Sequence, residues 1–262
     1  MATRDVPRDD APRFTGERFL PGIAPADMAP THYGRYAFAC QFVGGRHVLD
    51  LACGEGYGSY MMAEAGAASV LGVDVDPGIV DFAAGKYKAA QLSFAASDAC
   101  SLALPDGAVD AVVSFETIEH VPEPERCVAE VARVLKPGGT YIVSTPNRLA
   151  PGPNTPPTAN THNPFHLREY ALSEFRALLE GPFQIGGLYS QMPMTLGLRL
   201  LRTARNMLQP LGVDAAARYV FGAVSRTLAS QRPVLPVPLP DAYRQDSWDQ
   251  PVYFIALTRR RD

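Results

Sequence analysis

Uninterrupted apolar sequence is scarce. Nowhere do roughly 18 apolar residues run together, so no segment has the length to cross a bilayer as a helix, and membrane contact is not expected. Charge of one sign is scarce too: 24 Lys and Arg stand against 27 Asp and Glu, a formal net charge of −3. Without a basic field, binding through a phosphate backbone is not favoured, and no nucleic-acid partner is expected. Cysteines number 4 and none forms a C-x-x-C pair. That argues against a zinc knuckle or a redox dithiol and suits a reducing compartment better than a disulfide framework. The segment from Met1 to Arg13 is charged, carries Pro7 and Pro12 and lacks an apolar stretch, so it does not read as a secretory signal. The expected location is cytoplasmic.

What is there fits a globular chain: 262 residues, 47% apolar and 19% charged, enough for one large domain or one domain with an insertion. The 24 prolines cluster before Pro30, in Pro146–Pro164 and in Pro233–Pro251, marking irregular segments. Residues 1–30 read as a flexible lead. A helix is expected over Tyr33–Val43, then a strand at Arg46–Leu51 and a glycine-rich turn, Ala52-Cys-Gly-Glu-Gly-Tyr-Gly58, into a helix ending near Ala65. Further strands are expected at Ser69–Asp74, Leu92–Ala95, Val109–Phe115 and Thr140–Ser144. The intervening helices are expected at Pro77–Lys88 and Glu123–Leu135, the last stopped by Lys136-Pro-Gly-Gly139. A helix at Leu172–Glu180 and strands at Phe183–Ser190 and Pro251–Arg259 complete the pattern.

Short apolar runs alternating with helical periods predict an α/β fold with a doubly wound, mostly parallel, seven-stranded Rossmann-like sheet. Residues 31–190 with 250–262 form that domain. Residues 191–249 interrupt its C-terminal β-hairpin as a helical insertion, with helices near 194–209 and 214–229. Such sheets bind ligands beyond the carboxyl ends of their strands, which is where Asp50, Asp74, Asp98, Phe115–His120 and Thr145–Asn147 fall.

Glycines in the first turn allow backbone to approach a ligand closely. Asp74 ends the next strand, where a carboxylate accepts from a ribose diol. Asp98 follows the third, where it can take an exocyclic adenine N–H. A dinucleotide reading fits the first two features, but its usual spacing is G-x-G-x-x-G, not Gly54, Gly56, Gly58.

Together with Leu104-Pro-Asp-Gly107, Val109–Val121 and Arg133-Val-Leu-Lys-Pro-Gly-Gly-Thr140, these segments resemble the class I S-adenosylmethionine-dependent methyltransferases over roughly residues 30–190. Ala52 stands where a glycine is common. The resemblance implies S-adenosyl-L-methionine as cofactor. Asp50 and the turn Ala52, Cys53, Gly54 and Gly56 would hold its methionine part, and Tyr33 or Tyr36 would close over that end. Asp74 would take the ribose, Val75 the adenine face, Asp98 and Ala99 the adenine edge, and Phe115 the sulfonium side.

Glu116-Thr-Ile-Glu-His120 follows the fourth strand. Glu116, Glu119 and His120 are neighbours on one helical turn, and three readings stand open: His120 orients the turn, His120 is a general base, or the three residues ligate a divalent metal such as Mg or Mn. The string resembles Glu-x-x-Glu-His in ubiquinone-pathway O-methyltransferases and small-RNA 3′-end methyltransferases, where metal ligation belongs to the family picture. Catalytic candidates are His120, Glu116 and His166; His162 and His166 lie on a loop where acceptors meet the cleft.

Residues 194–229 carry Arg199, Arg202, Arg205, Arg218 and Arg226 against Asp214 alone. An amphipathic helix on the domain, an acceptor lid and a surface for a membrane or anionic carrier are the three readings. Segments such as Thr15–Gly22, His32–Phe38 and Asn163–Tyr170 resemble a bacterial branch associated with glycan, sugar-nucleotide or secondary-metabolite tailoring. The expected function is methyl transfer to a hydroxyl oxygen of a sugar or small hydroxylated metabolite. The alternatives are N-methylation of an amino sugar or small amine, and a non-catalytic cofactor-binding subunit. A small-molecule acceptor is the expected partner, and a homodimer is compatible with the sequence.

Overall fold

The computed structural model describes residues 19–22, 28–150, 163–191, 235–239 and 253–262. The insertion helices expected within 194–229, His162, and the lead up to residue 18 lie outside the described residues.

Among the described residues the sheet has eight strands in the order β3-β2-β1-β4-β5-β8-β6-β7. They are β1 (His47–Leu51), β2 (Ser69–Asp74), β3 (Leu92–Ala96), β4 (Val109–Phe115), β5 (Leu135–Pro146), β6 (Phe183–Gln191), β7 (Val237–Pro238) and β8 (Tyr253–Arg260). Strands β1 to β5 are mutually parallel, and β8 enters antiparallel between β5 and β6. The strand beyond the seven expected is β7, two residues inside the segment read as a helical insertion. It pairs with β6 at Tyr189 and Ser190. Pro238 has no N–H to give a ladder, which suits it to an edge.

Among the described residues five α-helices cover the sheet: α1 (Ala29–Ala39), α2 (Tyr57–Glu64), α3 (Pro77–Lys86), α4 (Pro124–Val134) and α5 (Leu172–Glu180). Alternation of side chains along each strand divides the apolar residues between two faces. Leu49, Leu51, Val112, Tyr141 and Val143 join α4 and α5 residues such as Val131 and Phe175 in one buried cluster. Val48, Ala111, Val113 and Ile142 join Phe38, Met62 and Ala63 from α1 and α2 in the other. This is the doubly wound arrangement that the sequence predicts.

Two boundaries differ from expectation for physical reasons. The stop signal Lys136–Gly139 does not separate helix from strand: β5 begins at Leu135 and absorbs it as a register shift opposite Val109 and Ala111, with Gly138 at φ +70°. The lead assigned to residues 1–30 contains core residues, since Phe19 and Leu20 are buried and α1 already starts at Ala29. Phe19 is held by rings, stacked on His32 at 4.6 Å and edge-on to Tyr57 at 5.3 Å.

Candidate cofactor and catalytic site

The order reverses between β1 and β4, the place where a doubly wound sheet opens a crevice at its carboxyl ends. A cavity of about 690 Å³ lies there, within the range of small-molecule sites. Its walls include the ends of β1, β2 and β4 and the loop after β3: Ala52, Cys53 and Gly54; Asp74 and Val75; Asp98 and Ala99; Phe115 and Glu116.

The two acidic signals are built differently. Asp74 is buried, accepting at Oδ2 from the Gly54 backbone N–H at 3.0 Å and at Oδ1 from Asp76 N–H at 3.1 Å. The glycine turn and the acid ending β2 are thereby one hydrogen-bonded unit on the cavity wall. Asp98 accepts from Cys100 N–H at 2.8 Å. Beside them Val75 is 73% exposed, an apolar face left open against the cavity.

Asp50 does something else. It is fully buried and does not line the cavity. Tyr36 Oη donates to its Oδ1 at 3.0 Å and Ser59 Oγ to its Oδ2 at 2.6 Å. Burial, with the Asp74 charge adding to it, raises its carboxyl to about 7, against the pull of those two hydrogen bonds. Asp50 therefore anchors Tyr36, and Tyr36 faces the cavity. Tyr33, the ring assigned to the cofactor, does not line it; it packs edge-on against Phe19 and Tyr57 at 5.7 and 5.4 Å. Gly56 is also off the wall. Its φ of +89° starts α2, and a Cβ there would stand 2.7 Å from the Phe94 ring, so it is needed for the turn and for packing.

One wall was read only in part from the sequence, through Tyr36 and Phe115. Phe19, His32, Tyr57, Tyr36 and Phe115 form a continuous chain of rings at centroid spacings of 4.6, 5.3, 5.2 and 5.0 Å in contact order Phe19–His32, Phe19–Tyr57, Tyr57–Tyr36 and Tyr36–Phe115. All five line the cavity. His32 is kept neutral: burial, helped by the Arg35 charge, lowers it to about 2. An uncharged aromatic wall suits a sulfonium cation. Phe19 and His32 lie outside the glycine and acid motifs, in the segments Thr15–Gly22 and His32–Phe38 that the sequence sets apart without giving them a role.

Beyond β4 the triad expected from one helical turn comes apart. Glu116 has φ +52°, a left-handed conformation, and is not among the candidate ligands that cluster there. Its Oε1 accepts from Ser144 Oγ at 2.6 Å and lies 3.8 Å from Arg35 Nη1. Glu119 is 0% exposed; it takes Thr145 Oγ1 at 3.2 Å on Oε2, while Oε1 has no hydrogen-bond partner. Burial, with the Glu116 charge adding to it, pushes its carboxyl well above the usual carboxylate range. The cluster that does form is Glu119, His120 and His166, whose candidate ligand atoms lie within 4.8 Å of one another. His166 therefore takes the place assigned to Glu116, because the chain after β5 brings residues 163–169 over the end of β4. Of those three, His120 lines the cavity and Glu119 and His166 sit behind it. His120 Nδ1 lies 3.2 Å from the Phe165 carbonyl.

The chain is similar to known methyltransferases. Residues 49–143 match the family model of a methyltransferase domain. A probable S-adenosylmethionine-dependent methyltransferase of Mycolicibacterium smegmatis is 40% identical over 173 residues, covering 64% of this chain and 63% of that protein. The chain thus spans less than two thirds of that relative's length. A ubiquinone biosynthesis O-methyltransferase of Coxiella burnetii is 37% identical over 106 residues, 40% of this chain and 45% of that protein. Among solved structures, an S-adenosylmethionine-dependent methyltransferase from Mesorhizobium loti superposes with a TM-score of 0.55 at 18% identity, over 83% of this chain and 92% of that one. That likeness concerns the fold. Among the described residues no helix is long and apolar enough to cross a membrane.

Proposed function

We propose that this chain, whose residues 49–143 match the model of a methyltransferase domain, transfers the methyl group of S-adenosylmethionine to a hydroxyl oxygen of a sugar or small hydroxylated metabolite. The observation that carries the cofactor half is the Asp74–Gly54 unit opening on one cavity with Val75, Asp98 and the aromatic wall. When bound, S-adenosylmethionine supplies a methyl group on a sulfonium centre, displaced in line by the acceptor.

The residues divide the work as follows. Asp74 is placed to accept from the ribose hydroxyls without losing its backbone donors, since each carboxylate oxygen has capacity for more than one hydrogen bond. Val75 offers the adenine an apolar face and Asp98 with Ala99 meets its edge. Tyr36, Tyr57 and Phe115 offer the sulfonium π-faces and exclude water. His120 is the general base. A hydroxyl acceptor has a pKa far above neutral, so removal of its proton needs a positioned base; His120 is the imidazole of the cluster that reaches the cavity. Glu116, on the same wall, orients the acceptor through its carboxylate. Likeness to an O-methyltransferase over 106 residues also favours oxygen.

A divalent cation is the second reading, with Glu119, His120 and His166 as its ligands, in place of Glu116, Glu119 and His120. The buried, unpartnered Glu119 Oε1 favours it, since an orphaned carboxylate oxygen suits a hard cation. The raised Glu119 carboxyl and its position behind the wall favour the base. Turnover of hydroxylated and amino acceptor pools with labelled cofactor, with and without EDTA, tests both. Labelled hydroxyl products unaffected by EDTA support the proposal. Label confined to amines, or no label at all, overturns the oxygen assignment, and loss in EDTA restored by Mg or Mn gives the second reading.

A further inference from the structure

We propose that the acceptor is an uncharged hydroxylated compound with an alkyl or aryl group beside its reacting end, and that Phe165 and Leu167 are the specificity-determining residues that receive that group. The inference rests on the reading of the cavity as a site of hydroxyl methylation and narrows its substrate class. Among the described residues the large apolar side chains left exposed are Val75, Phe165, Leu167, Leu235 and Val237. Leu235 and Val237 belong to the β7 edge, and Val75 is the face offered to the adenine. Phe165 lines the cavity while 52% exposed, and Leu167, two residues on, is 62% exposed. These two have no role in holding the cofactor or the core.

Their exposure is not slack in the chain. Phe165 N–H donates to Asn163 Oδ1 at 3.1 Å, and His166 N–H to the Asn163 carbonyl at 3.1 Å. Leu167 and Arg168 N–H donate to the Glu119 carbonyl at 2.9 and 3.2 Å. A backbone tied at both ends of this short stretch therefore presents Phe165 and Leu167 outward. Phe165 also stands at the reacting end of the cavity: its carbonyl lies 3.2 Å from His120 Nδ1, and both residues line the wall. An apolar rim on a binding cavity releases its water when an apolar group covers it. A wholly polar acceptor would leave it wet.

Charge narrows the class further. The described walls carry four carboxylates, Asp74, Asp98, Glu116 and Glu123, against a single guanidinium, Arg126. Arg126 is already engaged by Glu123 at 3.1 Å. Glu116 has its own cation in Arg35 at 3.8 Å, and Arg35 is only 1% exposed. A phosphorylated or carboxylated acceptor would meet acids on these walls and would have to break an existing ion pair to find a cation. A neutral acceptor meets neither cost, and the one large contact left for it to make at this end is apolar.

The test is calorimetric binding of two neutral series, n-alkyl glucosides and n-alkyl catechols, each from methyl to hexyl, to full-length protein saturated with S-adenosylhomocysteine. Affinity is expected to rise along at least one series, by up to about fourfold per methylene buried. The same heads carrying a phosphate or a carboxylate in place of the alkyl group should bind more weakly. Phe165→Ser should flatten the rise, with S-adenosylhomocysteine affinity reporting that the variant is folded. If Phe165→Ser fails that control, Leu167→Ser, whose side chain lies off the cavity wall, decides by the same slope. Flat affinity along both series in wild type overturns the inference, as does an unchanged slope in a folded variant or tighter binding of the charged compounds. A wild-type dimer in sedimentation that Phe165→Ser dissociates gives the two side chains to a second copy and overturns it too. Binding is read without methyl transfer, so the outcomes separate. Label passing to amines alone would fail the hydroxyl reading and leave the slopes standing, whereas label on hydroxyls with flat slopes would fail this inference alone.

Discussion

Asp74 Oδ2 and the Gly54 amide are joined at 3.0 Å, so the acid that ends β2 and the turn that follows β1 cannot move independently. Removing the acid therefore does two things. Asp74→Ala strips a charged acceptor from the ribose site and frees the Gly54 amide. S-adenosylhomocysteine binding should weaken by about 1–3 kcal/mol, the range for losing a hydrogen bond to a charged group. Calorimetry gives the answer, and unchanged affinity would remove Asp74 from the ribose.

His120→Ala should lower turnover by roughly 10²–10⁴-fold, the usual worth of a general base, with cofactor affinity retained. Single-turnover rates on a hydroxylated acceptor measure this. A rate within a few-fold of wild type, together with lower thermal stability, would mark His120 as an orienting residue.

Gly58, in the first turn of α2, abuts Tyr36: an added Cβ would stand 2.0 Å from the Tyr36 ring. Gly58→Ala should displace the ring, break the Tyr36–Asp50 hydrogen bond and cost about 1–3 kcal/mol, as overpacking does. Urea unfolding reports the stability. Retained stability with normal cofactor binding would show that the helix shifts to make room.

Ala52 carries φ +58° at the position where similar methyltransferases commonly hold glycine. The left-handed conformation costs a residue with a Cβ about 1–2 kcal/mol, and glycine loses about 0.5–1 kcal/mol through extra freedom in the unfolded chain. Ala52→Gly should raise stability by up to about 1 kcal/mol without weakening cofactor binding. A destabilised variant would mean that the Ala52 methyl packs usefully.

Asp50 gives a pH dependence of defined sign. Its folded carboxyl lies at about 7 against an ordinary 3.8, so between those values the folded protein holds a proton that the unfolded chain has released. Its contribution is fully present below the ordinary value and fades as pH rises toward 7, at about 1.4 kcal/mol per pH unit. His32, lowered to about 2, works the other way, so the useful quantity is the difference between wild type and Asp50→Asn. In urea titrations at a series of pH values, wild type should lose stability relative to the variant from pH 4 to 7. Parallel curves would mean that Asp50 is ionised throughout.

Much of this site is written locally. Val109–Phe115 and Leu172–Glu180 lie where their apolar periods put them, and Asp74, Asp98 and Gly54 meet because a parallel sheet aligns its strand ends. Adjacency within one turn was a poorer guide. Glu116 and His120 share a helical spacing on paper, yet the cluster that forms is Glu119, His120 and His166, the last of them far along the chain. Tyr33 and Tyr36 are equally aromatic. The phase of α1 alone, set by which residues of α1 face Asp50, puts Tyr36 on the wall. Val237–Pro238 is too short for a period of any kind, and only the exposed edge of β6 makes it a strand.

The placement of β8 bears on how the molecule is made. This strand comes late in the chain yet lies between β5 and β6, pairing along Thr140–Pro146 on one side and Phe183–Gln191 on the other. During synthesis, the half of the sheet that borders the cavity can assemble as soon as β5 has left the ribosome. The edge of β5 then waits with its hydrogen-bonding groups unpaired, as does β6, until the last strand threads in between. Such waiting edges are the surfaces that recruit foreign strands, and their long-range closure is slow.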